Sequence, residues 1–151
     1  MRMIPTPPAA GGVTRRLAPL VLGLALLMGG MAPAPAQARP PLSQIKEIDN
    51  GLLVVALADA VRQSCSSIEP RMLRAYAYLN ELKKMARSLG YSDAEIEAHV
   101  KSRTEKARMR ARGEAYMRAQ GLDPAVAEDL CTLGRQEIAR GSQIGALLRM
   151  R

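Results

Sequence analysis

The chain has no tryptophan and no phenylalanine, and only one histidine and two cysteines among its 151 residues. Without large aromatic carbon side chains, its core must be assembled from Leu, Ile, Val, Ala, Met and some of its four tyrosines. Proteins that hold single-stranded nucleic acid interleave basic side chains with stacking aromatics. Here the most basic stretch has only Tyr116 nearby, and no zinc-finger or RNA-binding motif appears. Nucleic acid is therefore set aside as a partner. A single histidine also leaves no metal set: Glu95 and His99, four residues apart, could supply two ligands, but no third or fourth accompanies them. His99 reads as a surface histidine, and no metal or other cofactor is expected. Phosphate-binding loops, dinucleotide fingerprints and nucleophile elbows are missing too. No stretch alternates apolar and polar residues long enough to argue for a strand.

What is present begins with an address. Residues 1–38 hold three arginines and no acid, followed by the apolar run LAPLVLGLALLMGGMA and then PAPAQA. That order of positive, apolar and small residues is a secretory leader. Ala36 and Ala38 occupy the A-x-A cleavage positions, so a mature chain would begin at Arg39. Leu17 to Ala32, which contains Pro19, falls short of the ~20 residues a spanning helix needs. The pair Arg15-Arg16 lacks the rest of a twin-arginine motif, which leaves the general export route to the periplasm. The mature part carries 19 basic and 14 acidic residues, a net charge of +5.

Export alters what the cysteines mean. In an oxidising compartment, Cys65 and Cys131 are expected to form a staple rather than a metal or redox site. They stand 66 residues apart, without C-x-x-C spacing. Closing so long a loop contributes about 4 kcal/mol in the chain-entropy account.

The spacing of apolar residues predicts an all-α fold for 39–151: a single-domain bundle of four helices, with a fifth, short one at the C-terminal end and one disulfide. A first helix, capped by Ser43, carries Ile45, Ile48, Leu52, Val55 and Leu57 to Val61, and its LLVVALA segment is apolar nearly all round, as suits a central helix. Asp49-Asn50-Gly51 is a candidate kink or delayed start. A second helix, opening at Ser67 and Pro70, would bury Met72, Ala75, Leu79, Leu82, Ala86 and Leu89 and stop at Gly90. YSDAE then gives a capping box between Ser92 and Glu95, with Tyr91 stapled to Ile96. A third helix from Asp93 to about Gln120 would span ~42 Å. A compact domain of this size is only about 34 Å across, so that helix overshoots the globule or bends at Gly113. Asp123-Pro124 opens a fourth helix carrying Cys131, and Ser142 caps the short QIGALLRM segment. Its Leu147 and Leu148 need cover from the domain or from a partner.

KSRTEKARMRAR, Lys101 to Arg112, holds six bases and one acid. At 100° per residue, Ile96, Val100, Thr104, Ala107, Ala111 and Ala115 fall on one side and read as the buried strip. Lys101, Arg108 and Arg112 flank it on one margin, Arg103, Lys106 and Arg110 on the other, with Met109 and Tyr116 outward. Flanking suits long side chains that lay methylenes over a core margin and keep their charges in water. It suits a single polyanion grip poorly, because charges pointing two ways cannot all reach one surface.

Three segments, LSQIKEIDNGLLVVALADAVRQSC, LGYSDAEIEAHVKSRTEKARMRARGEAYM and LCTLGRQEIARGSQIGALL, resemble in order a family of small exported alphaproteobacterial proteins known only as a domain of unknown function. The resemblance spans Leu42 to Leu148 and includes both cysteines. It implies envelope residence and one helical domain, and carries no activity or catalytic residue.

The expected function is accordingly that of a non-enzymatic, disulfide-stapled periplasmic protein. It would bind an envelope protein or anionic envelope material through exposed helix surface. Arg103, Lys106 and Arg110 are the first candidate contacts, Leu147 and Leu148 the second. The alternative is a small hydrolase of envelope polymer that uses a carboxylate pair brought together by the fold.

Overall fold

A computed structural model describes residues 39–151. The expected leader and its cleavage site lie outside the described residues. A 3-10 turn at Leu42–Gln44 leads into α1 (Lys46–Ser64), β1 (Ile68–Pro70), α2 (Met72–Ser88), α3 (Asp93–Lys101), α4 (Arg103–Arg118), α5 (Ala127–Ala139), α6 (Gln143–Ala146) and β2 (Leu148–Met150). The fold is all-α apart from one antiparallel ribbon, in which Glu69 faces Arg149 and their side chains pair at 2.7 Å. Among the described residues no helix is long and apolar enough to cross a membrane.

As its composition requires, α1 is central: α2, α4, α5 and α6 all pack on it. It runs without interruption through Asp49-Asn50-Gly51, and its start at Ile45 has no side-chain cap, so Ser43 does not serve as one. Gly51 lies at a close approach rather than a kink, since a Cβ there would sit 2.5 Å from Leu82 Cδ2. Gly134 does the same for α5, whose backbone comes so near α1 that a Cβ would stand 2.6 Å from Val61 Cγ1 and Ile68 Cδ1.

Among the described residues two clusters make up the core. The larger joins Leu57, Val61, Ile68, Met117, Leu133, Ile144, Leu147 and Leu148 around the Cys65–Cys131 disulfide, which ties the end of α1 to α5. The smaller joins Leu42, Ile48, Ala86 and Tyr91, with Ile45, Leu52 and Ile96 against it.

The junction before α3 forms as its sequence dictates. Ser92 Oγ accepts from the Glu95 N–H at 3.3 Å, and Glu95 accepts from the Ser92 N–H at 2.7 Å. Gly90 ends α2 with φ +87°. Asp93 receives a two-pronged hydrogen bond from Arg87 at 2.7 and 2.6 Å, which lashes α3 to the end of α2. Its carboxyl is held below the usual aspartate range by those bonds.

Elsewhere the structure corrects the expectations. The long third helix is two helices. Its break falls at Ser102, whose hydroxyl caps α4 by accepting from the Glu105 N–H at 3.3 Å, whereas Gly113 lies mid-helix against Leu57. A straight rod would have left the globule, and Ser102-Arg103-Thr104-Glu105 supplies a cap at which to turn. Ile68–Pro70 is strand, so α2 starts at Met72 rather than near Ser67, and α5 starts at Ala127 rather than at Asp123-Pro124. Of the expected α2 stripe, Leu82 and Ala86 are buried and Ala75 is half-buried, while Met72, Leu79 and Leu89 are exposed.

Candidate anion-binding groove

The basic stretch is best understood from the acid that faces it. Asp49 is buried on α1, and a carboxylate taken out of water needs charged partners. Arg108 and Arg112 provide them. Both guanidinium groups grip the Asp49 carboxylate, with Arg108 Nη1 at 3.2 Å, and Arg112 also reaches Asn50 Oδ1 at 2.8 Å. Arg108 further donates to Glu105 at 2.9 Å. The Asp49 bonds raise its pKa above even the ordinary arginine value.

This clamp sets α4's rotation about its own axis. Met109, Gly113 and Met117 point inward, while Thr104, Ala107, Ala111 and Ala115 are exposed. The alanine strip expected to be buried is therefore the outer surface, and Met109, expected outside, is core. The reason is tertiary. Two arginines must reach one carboxylate on α1, and doing so turns the larger methionines toward Leu57 while small alanines lose little by facing water.

With that phase, the six bases divide by role. Lys101 pairs with Glu97 on its own helix. Arg103, Lys106 and Arg110 are exposed, spaced three and four apart along one side of α4, and have no carboxylate partner among the described residues. Lys106 and Arg110 stand on the lip of a groove between α1 and α4, with a volume of about 630 Å³. Leu52, Val55, Ala56, Met109, Gly113 and Met117 line its apolar part.

The groove's carboxylates are occupied. Asp59 accepts from Arg62 at 2.7 Å and from Gln63 at 2.6 Å, Glu105 from Arg108, and Glu114 from Arg118 at 3.0 Å. A glycosidase-type acid needs an apolar setting that keeps its proton, which is the reverse of an arginine-paired carboxylate. His99 lines the groove as well. It is 12% exposed and stands 3.9 Å from Glu105, so it is more enclosed than the surface position expected for it. Among the described residues no group of three or more His, Cys, Asp and Glu side chains is placed to hold a metal ion.

The second candidate contacts do not reach the surface. Leu147, at the end of α6, is 3% exposed and Leu148, where β2 pairs with β1, 1% exposed, both within the larger core. The domain itself supplies the cover they needed.

Sequence reasoning missed a second buried acid. Glu137, fully buried on α5, accepts from Tyr116 Oη at 2.6 Å, from Arg140 Nε at 3.1 Å and from the Ser142 hydroxyl. Burial pushes its pKa up, but these donors together hold it below the ordinary glutamate value. Burial also raises the Tyr116 pKa, with the bond to Glu137 adding to it. Ser142 simultaneously caps α6, accepting from the Gly145 N–H at 3.0 Å. The cluster binds α4 to the α5–α6 corner and faces the core, not the groove. Its signal was faint: Glu137 lies four residues after Leu133, on the same helical stripe.

A family model described as a family of unknown function (DUF5333) matches residues 40–149. No curated protein and no solved structure matches the chain.

Proposed function

We propose, for a chain that belongs to DUF5333, a family of unknown function, that it is an exported, non-enzymatic binding protein of the periplasm. It engages anionic envelope material through the row Arg103, Lys106 and Arg110. One observation carries this reading. On a helix where Arg108 and Arg112 are committed to a buried carboxylate, these three bases face solvent together and uncompensated. Exposed charge without a carboxylate partner does little for folding, whereas it attracts anions from solution. The disulfide supports the compartment, because such staples persist where thiols are not kept reduced.

Reversing all three charges, Arg103→Glu, Lys106→Glu and Arg110→Glu, is expected to abolish co-purification with envelope fractions and leave the melting temperature nearly unchanged. Association that survives the reversal removes the reading, and capture of an acidic envelope protein in its place moves it to a protein partner. Mass measurement of the native product tests export. A chain starting at Arg39 with no free thiol is expected, and an intact leader overturns it.

A further inference from the structure

The groove beside that row has a shape and a charge that the row alone does not explain. At about 630 Å³ it falls in the range of small-molecule sites, ~300–1,000 Å³. It follows α1 from Leu52 to Gln63, a length of about 16 Å at 1.5 Å per residue, so it is a slot rather than a cup. Its floor is aliphatic and thioether, with the bare Gly113 backbone between two methionines, and Met side chains adapt to chains of varied shape. All three lining carboxylates, Asp59, Glu105 and Glu114, are neutralised by arginines of their own helix. Lys106 and Arg110, on the same lip, are not neutralised. A ligand therefore meets an apolar trough with positive charge along one edge.

We propose that the groove binds a single-chain amphiphile with an anionic head, its hydrocarbon lying along α1 and its head between Lys106 and Arg110. This rests on reading the row as an anion contact and goes beyond it by assigning the apolar half of the ligand. A purely polar anion would leave the half-buried Leu52, Val55 and Ala56 of the groove in contact with water. A neutral hydrocarbon would leave the two charges unmatched.

The test uses 39–151 with its disulfide intact, carrying methyl-labelled methionine, and titrates butyrate, octanoate and dodecanoate at submicellar concentration. Dodecanoate is expected to shift the Met109 and Met117 signals and leave those of the exposed Met72 and Met150 in place. Affinity should rise about fourfold per added methylene before it saturates. Lys106→Gln with Arg110→Gln should weaken dodecanoate at least tenfold, and decanol should bind the wild type and this variant alike. Unmoved Met109 and Met117 signals overturn the proposal, as does an equal shift at all exposed methionines or full affinity in the glutamine variant. If Met109 and Met117 stay unmoved while charge reversal still abolishes envelope association, the amphiphile is wrong and the basic row stands. If charge reversal changes neither, both readings fall.

Discussion

The two cores are closed by different means. At the smaller one, around Tyr91, the closing ties are short in sequence: the Ser92–Glu95 box, the Tyr91–Ile96 staple and the Arg87–Asp93 pair, six residues apart. Asp49 with its two arginines, Arg39 at 4.8 Å over the Tyr91 ring and 3.1 Å from Glu95, and the Tyr91 hydroxyl donating to the Pro40 carbonyl bring distant segments there as well. At the larger core local bonds such as Arg140–Glu137 are joined by ties that span much more of the chain. The disulfide joins residues 66 apart, Arg71 just before α2 donates to the Leu148 carbonyl at 3.1 Å, and Tyr116 reaches Glu137 across 21 residues. Local ties lower the cost of forming each helix end, whereas long ones lower the cost of holding the chain's ends together. The two regions should therefore fail under different insults.

The largest difference should come from the disulfide. Cys65→Ala with Cys131→Ala is expected to cost about 4 kcal/mol in urea unfolding. Native-state hydrogen exchange should then rise first in α5, α6 and the ribbon, while α3 keeps its protection. Loss of protection spread evenly over both regions would mean the cores are one cooperative unit.

Acid should produce a smaller difference. Glu137 is held below the ~4.3 of an unfolded glutamate, so the unfolded chain takes up protons first. The stability from its charged form is complete above about pH 4.3 and is lost as pH falls through the folded value. Glu137→Gln should flatten that part of the acid transition at any ionic strength. Glu95 is pulled down as well, by the Ser92 N–H and hydroxyl and then by Arg39, but it is exposed, and its share should shrink in high salt. An acid transition identical in wild type and Glu137→Gln would show that the buried carboxylate does not titrate with unfolding.

The smallest expected effect is Ser92→Ala, about 1 kcal/mol for loss of one N-cap. Amide exchange should speed up in the first turn of α3 and stay unchanged around the disulfide. A cost several times larger would show that the small core depends on that cap more than its local bonds imply.

How much was legible follows the same division. The box, the staple, the stop at Gly90 and the central, all-round apolar α1 could be read from the sequence because each depends on residues within about four positions of one another. Cys65 and Cys131 could be paired because there were only two. The row Arg103, Lys106 and Arg110 could be placed on one side of a helix by spacing alone. The inward face of α4 could not be. Its alanines and its methionines offered two apolar faces of similar breadth, and the choice was made by Asp49, 59 residues before Arg108. The break at Ser102 did leave a local sign, Ser102 followed by Glu105, obscured by an unbroken run of good helix formers. The groove left none, because α1 and α4 each contribute only one wall.

By itself, then, the sequence determined where helices begin and end when capped by near neighbours, which sulfurs can join, and which bases share a side. Tertiary structure alone decided which side faces in, which arginines are spent on a buried acid, and that Leu147 and Leu148 belong to the core. Backbone hydrogen bonds and caps are satisfied within a turn of the chain. The rotation of a helix about its axis costs nothing locally, and is settled only by the charge and volume of whatever packs against it.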